Sequence, residues 1–243
     1  MGSMSRIFMI RPVHKPLDIA AVNQWYTRMK QVSIPLSTQA YSQIRAMILD
    51  GQFAPGDTLS ERYLAERFAL GRMPIREALR ELAKDGLVES VPGRGTSVRR
   101  LSLEDLQDIY EARQAIDGMA AYLAARRGPP PELAAFRERF VSLLEASSFD
   151  APEAQRAGAE FHVAIIEASQ NRELARMLKG LQAKISLVLN MRKNPERAPV
   201  SLREHLSILE AIESGEAEEA QRRMWNHLAK SFEARIQLHQ KVA

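Results

Sequence analysis

SERYLAERFALGRMPIREALRELAKDG, residues 60–86, holds two short amphipathic helical patterns separated by a single glycine. Ser60 can cap the first, whose apolar residues Leu64, Ala65 and Phe68 share one face before Gly71 breaks it. The second starts near Pro74, where proline is tolerated because the first-turn N–H has no intrahelical partner. It continues through Ile75, Ala78, Leu79 and Leu82 and stops at Gly86. Upstream, Ala40, Ile44, Met47 and Ile48 recur at helical spacing up to Gly51, and Pro55-Gly56 forces a turn. Downstream, Leu87–Val91 and Thr96–Val98 are β-prone stretches joined by Pro92-Gly93-Arg94-Gly95, a hairpin loop with an arginine at its tip. Three helices followed by a hairpin, the second and third helix joined by a few residues, predict a winged helix-turn-helix.

Beyond Arg100 the pattern is helical throughout. Ser102-Leu-Glu-Asp105 is a capping box, and the helix it opens runs to about Arg127, where Gly128-Pro129-Pro130-Pro131 ends it. Further helices are expected at about 132–147, 152–169, 172–193, 200–213 and 216–240, divided by turn signals such as Asn194-Pro195 and Ser214-Gly215. The expected fold class is mainly α: an N-terminal winged helix-turn-helix plus a C-terminal all-α helical bundle. The domain reading is an N-terminal extension at 1–35, a DNA-binding domain at 36–100, and an all-helical effector-binding and dimerisation domain at 101–243. Within the extension, Met1-Gly2-Ser3-Met4 reads as an appended remnant before a second start, and one short helix is predicted around Ile19 to Met29.

Composition narrows the function classes. Of 243 residues, 45% are hydrophobic and 26% charged, which disfavours a disordered or fibrous chain. No apolar run approaches the roughly 18–20 residues of a membrane span, and Arg6 interrupts the N-terminal stretch before a signal-peptide core can form. A soluble, cytoplasmic protein without membrane attachment is expected. The absence of cysteine excludes disulfides, thiolate metal sites and cysteine nucleophiles, so a metal would need His, Asp or Glu. Formal charge is +4 over residues 1–35, +2 over 36–100 and −2 over 101–243, which puts any polyanion partner at the N-terminal end.

In a helix-turn-helix the second helix enters the major groove with its N-terminal residues at base edges. Arg72 and Arg76 lie four apart at that end, where a guanidinium can grip guanine O6 and N7 in bidentate fashion. Arg62 is placed to meet a phosphate or an adjacent base, and Arg94, with Gly93 and Gly95 letting the loop come close, can enter the neighbouring minor groove. Taken singly, each of these is also readable as an ordinary surface arginine; their convergence on one motif favours DNA contact.

These residues resemble a known family. Gly51-Gln-Phe-Ala-Pro-Gly-Asp-Thr-Leu-Ser-Glu-Arg62, Leu64-Ala65-Glu66, Arg72–Leu79 and Pro92-Gly-Arg-Gly-Thr96 look like the DNA-binding domain of GntR-family transcriptional regulators. Tyr110-Glu-Ala-Arg113, Phe161-His162 and Asn171 to Leu174 resemble the FCD-type effector domain of the FadR subfamily. The resemblance implies a homodimer on a palindromic double-stranded DNA operator, with a small carboxylate effector in the bundle. Gly71 stands where the family usually has Ser or Thr, which removes a cap and a phosphate contact. Met73 replaces a commonly polar residue and could meet a thymine methyl.

His162, His205 and His227 fall in three separate helices, and imidazoles on facing helices are one way bundles build metal sites; surface or hydrogen-bonded histidines are the plainer reading. The resemblance favours the metal, because the metal-binding branch of these domains has histidines in matching contexts. That branch also has Asp or Asn one turn before the first histidine, where this chain has Gly158. The expectation is a three-histidine site for zinc or nickel, completed by water or an effector carboxylate, with no organic cofactor. His14 and His239 are read as surface. Arg113 stands where the family places a cavity-facing arginine, and it is open both to an effector carboxylate and to a structural ion pair. Asn190 and Arg192 are further candidates for the effector cavity. The leading function is a ligand-responsive, sequence-specific repressor and not an enzyme. The alternative is a DNA-tethered metal-dependent hydrolase using the three histidines, since three ligands and an open position also make a catalytic zinc pattern.

Overall fold

The structure, a computed structural model, describes residues 34–91, 93, 95–191 and 195–240, with backbone alone at 189–191 and 239–240. The expected helix at 19–29, His14, Arg94, Arg192 and the side chains of Asn190 and His239 lie outside the described residues. Leu36–Ala243 is one compact unit.

Three helices open it: α1 (Leu36–Leu49), α2 (Glu61–Phe68) and α3 (Arg72–Lys84). Ala40, Ile44, Met47 and Ile48 form the buried stripe of α1, and Ile75, Ala78, Leu79 and Leu82 that of α3, so the two pack face to face. The Ser60 hydroxyl accepts from the Tyr63 amide, capping α2 as its sequence predicts. Ala69 then adopts φ +52°, the left-handed turn that redirects the chain into α3. Strands β1 (Val88–Val91) and β2 (Gly95–Val98) pair antiparallel with Val88 opposite Val98, and Leu87, Val88 and Val98 bury against the helices. Each such side chain removed from water contributes about 1.5–3 kcal/mol. A winged helix-turn-helix results.

Six helices follow: α4 (Leu103–Arg127), α5 (Pro131–Glu145), α6 (Ala151–Ala168), α7 (Arg172–Met191), α8 (Arg197–Glu213) and α9 (Ala217–Gln240). The Ser102–Asp105 capping box is complete, and proline stands in the first turn of both α5 and α6. Helix α4 is the bundle's axis, packed against α6, α7, α8 and α9. Its small side chains allow this: Ala120, Ala121, Ala124 and Ala125 are buried, and Gly118 lets the Trp225 indole lie so close that an added Cβ would sit 2.2 Å from Nε1. Phe136, Phe140 and Phe161, with ring centroids 5.3–5.7 Å apart, fill the space between α5 and α6 as part of the same core.

The winged helix and the bundle touch. Helix α7 meets α1, and the Lys184 side chain crosses the turn that ends α3: Gly86 has φ +72°, and a Cβ there would sit 2.9 Å from Lys184 Cε. Among the described residues, no helix is long and apolar enough to cross a membrane.

Candidate nucleic-acid interface and metal centre

The buried stripe of α3 fixes which side faces outward. Arg72, Met73, Arg76 and Arg80 are exposed, and Met73 keeps 59% of its surface. Gly71 is the N-cap in extended conformation and makes no side-chain cap, so the first-turn amides of α3 are left to solvent or to a ligand. Arg62 is exposed on α2 with Glu66 4.0 Å away. Gly93 and Gly95 hold φ +78° and +86° in the wing tip. The structure thus brings Arg62, Arg72, Met73 and Arg76 to the surface of the helix-turn-helix. Sequence reasoning missed Glu61, the first residue of α2: Arg76 Nε and Nη2 donate to its two oxygens at 3.1 and 2.9 Å. That hydrogen bonding, with the charges of Arg76, Arg72 and Arg80, holds the Glu61 carboxyl below the usual range.

In the bundle, α6 supplies His162, α8 His205 and α9 His227, all buried. Their Nε2 atoms converge: His162 to His227 is 3.3 Å and His205 to His227 is 3.2 Å. Outer carboxylates set the ring orientations. Glu204 Oε2 lies 2.8 Å from His227 Nδ1 and also accepts from Arg197; Asp117 Oδ2 lies 3.1 Å from His162 Nδ1, off the line of a straight hydrogen bond, and accepts from Arg113 at 3.2 and 3.0 Å. With Nδ1–H turned to a carboxylate, a neutral imidazole presents its Nε2 lone pair inward.

Burial is the main reason all three imidazoles stay neutral. It lowers His227 to about 4 against the pull of Glu204, and lowers His162 against that of Asp117, with the charge of Arg113 adding to the fall. His205 goes well below the ordinary value through burial and then the neighbouring imidazoles and arginines. Burial alone would raise the Asp117 and Glu204 carboxyls. Arg113 and His162 for the one, His227 and Arg197 for the other, reverse that, and both lie below the usual range.

Two inward lone pairs 3.3 Å apart, on His162 and His227, repel, and either a proton on one Nε2 or a cation between them relieves this. Tetrahedral zinc with Zn–N of about 2.0–2.1 Å needs ligand nitrogens about 3.3–3.4 Å apart, and three neutral imidazoles suit zinc or nickel better than a hard ion. The residues fit such a metal. Among the described residues no carboxylate joins the inner ring, and Gly158 is more than an absent acid: a Cβ there would sit 2.8 Å from His205 Cε1, so the ring itself occupies that space. Glu160 turns outward to Arg139.

A cavity of about 170 Å³ opens beside the three histidines, with Arg113, Arg197, Arg235, Gln182, Ser186 and Ser231 among its lining. Arg113 makes the structural ion pair with Asp117 and also lines the cavity.

Sequence comparison matches residues 36–98 to the family described as bacterial regulatory proteins, gntR family, and residues 108–230 to the FCD domain. The chain is 31% identical over 197 residues to an HTH-type transcriptional regulator, YdhC, of Bacillus subtilis, covering 79% of this chain and 88% of that one. It is 27% identical to the HTH-type transcriptional repressor RspR of Escherichia coli, covering 85% and 91%. The solved structure of E. coli McbR/YncC superposes with a TM-score of 0.69 at 20% identity, covering 85% and 99%, and shares the fold. These relatives are transcriptional regulators and not enzymes, which leaves the hydrolase alternative without support.

Proposed function

Because this chain belongs to the GntR family of bacterial regulatory proteins and carries their FCD domain, we propose that it is a ligand-responsive repressor. Residues 36–100 read duplex DNA and residues 101–243 bind the effector and pair two copies. One observation carries the DNA reading: α3 is anchored by a buried stripe while its first two turns hold Arg72, Met73 and Arg76 toward solvent. Arg72 and Arg76 read guanine in the major groove, Met73 meets a thymine methyl, and Arg62 meets phosphate or an adjacent base. Arg94 and Gly93 at the wing tip take the minor groove, and a homodimer places two such faces on a palindromic operator in the cytoplasm.

The effector is a small carboxylate, supported by the three arginines lining the cavity. Asn190 and Arg192 stay with it as candidates. His162, His205 and His227 would hold the metal, whose positive charge, when bound, draws an anionic oxygen to its open position. Effector binding shifts the bundle between conformations and so changes operator affinity. Repression is the sign borne by the relative named a repressor.

Selection from a random duplex pool, followed by anisotropy titration of the selected duplex, tests the reading. Arg72→Ala and Arg76→Ala should each weaken binding by about 1–3 kcal/mol with the far-UV spectrum unchanged. Two variants that bind as tightly as the parent chain would remove α3 from the groove.

A further inference from the structure

Arginine carries two hydrogen-bonding edges: a side edge made of Nε and Nη2, and an end edge made of Nη1 and Nη2. Glu61 occupies the whole side edge of Arg76, at 3.1 and 2.9 Å, and leaves the end edge open; no bond from Nη1 is formed among the described residues. The open end edge presents two parallel donors that can grip guanine O6 and N7. Three arginines spaced four apart along α3, Arg72, Arg76 and Arg80, act on the Glu61 carboxylate. Anchored at the start of α2, it stands on a different helix from the residue that it holds.

We propose that Glu61 is a specificity-determining positioning residue: it fixes the Arg76 guanidinium with its end edge toward the bases and prevents it from settling on a phosphate. The proposal rests on the reading of α3 as the groove helix. A carboxylate near a phosphate backbone opposes binding to any sequence, so its presence beside three arginines lowers affinity everywhere and is offset only where a guanine meets the presented edge. Glu61 thus acts through Arg76 and by repulsion, on discrimination more than on affinity. A purely structural reading also exists, since an acid in the first turn of α2 favours the helix dipole. Asp in the same place would preserve that effect but is one methylene too short to keep the two-bond grip.

The full-length chain, Glu61→Ala, Glu61→Asp and Arg76→Ala are each taken through selection on a random duplex pool. The duplex selected by the parent chain and a scrambled duplex are then titrated by anisotropy over a range of KCl. For Glu61→Ala, the scrambled duplex should bind about three- to tenfold tighter and the log–log salt slope should steepen by about 0.9, the value of one added phosphate contact; Glu61→Asp keeps the charge and its repulsion, so its scrambled affinity should rise less while its selectivity falls with the lost grip. The ratio of selected to scrambled affinity should drop about tenfold or more, with the guanine preference assigned to Arg76 lost from the selected pool. Unchanged slope and ratio in Glu61→Ala, or a Glu61→Asp variant that behaves like the parent chain, overturns the proposal while leaving α3 as the reading helix, provided Arg76→Ala still loses selection. A parent chain that enriches no sequence overturns the groove reading and this inference with it.

Discussion

Arg113→Met would replace a guanidinium by an apolar side chain of similar reach and leave Asp117 alone in the bundle. Asp117 is 1% exposed, its Oδ1 has no partner, and its Oδ2 depends on Arg113 and on His162 Nδ1. Removing one member of a buried pair costs about 3–5 kcal/mol. A ceiling follows from chemistry, because the stranded carboxylate can take a proton. From an unfolded pKa of about 3.9, protonation at pH 7 costs about 4 kcal/mol, and at pH 5 about 1.5 kcal/mol. The native chain behaves in the opposite way: the lowered pKa of Asp117 gives stability that is present above the unfolded value and lost only as pH falls through the folded one. Without Arg113, burial raises the carboxyl, so the loss grows as pH rises. Urea unfolding followed by far-UV circular dichroism should show Arg113→Met destabilised by about 3–4 kcal/mol at pH 7 and by about 1.5 at pH 5, relative to the parent at each pH. The double variant Arg113→Met, Asp117→Leu should return to within about 1 kcal/mol of the parent. A loss below about 1 kcal/mol at pH 7, or equal losses at both pH values, would refute the reasoning and leave Arg113 with the cavity alone.

Gly158→Ala should drive the His205 ring out of place, since it is wedged between Phe140 and Phe161 at 5.6 and 5.2 Å; zinc affinity by competition titration should fall about tenfold or more, and thermal stability should fall too, because overpacking of about 1–3 kcal/mol outweighs the ~1 kcal/mol helical advantage of alanine. An unaltered zinc Kd would show that the ring position does not matter. His227→Ala should lower bound zinc, measured by elemental analysis after loading and desalting, from about one per chain to near none with helicity unchanged; a parent chain that retains none contradicts the metal centre. Tyr41 donates a hydrogen bond to Asp85 across α1 and α3, and burial with that carboxylate raises the phenol to about 12. Tyr41→Phe should cost about 1 kcal/mol and delete the highest-pH step from the phenolate absorbance titration, which would otherwise have to be assigned elsewhere.

The helix-turn-helix was legible because its signals are local: a serine cap, a glycine break, a proline in a first turn and two apolar stripes each act within a few residues. The bundle's helices were legible for the same reason. The three histidines could be picked out by type and spacing, but their outer partners could not. Glu204 adjoins His205 in sequence yet serves His227 on another helix, because neighbouring residues on a helix point to different sides. Asp117 precedes His162 by two helices, and its single local trace is the four-residue spacing from Arg113. Glu61 escaped notice for the opposite reason: an acid in the first turn of a helix is so common a stabiliser that nothing marks it as a partner of Arg76.

The turn at Gly86 has a practical consequence for protein engineering. Exchanging reading heads between relatives, to rewire a sensor onto a new promoter, would cut near residue 100, and the obvious suture is the linker before α4. A second constraint lies at residue 86, where the backbone is left-handed, a conformation L side chains rarely adopt, and passes beneath the end of the Lys184 side chain. A transplanted head that brings a side chain to that position would carry backbone strain there and displace the end of Lys184. Chimeras should therefore be chosen by the residue at 86 and its lysine neighbour before any matching of linker length.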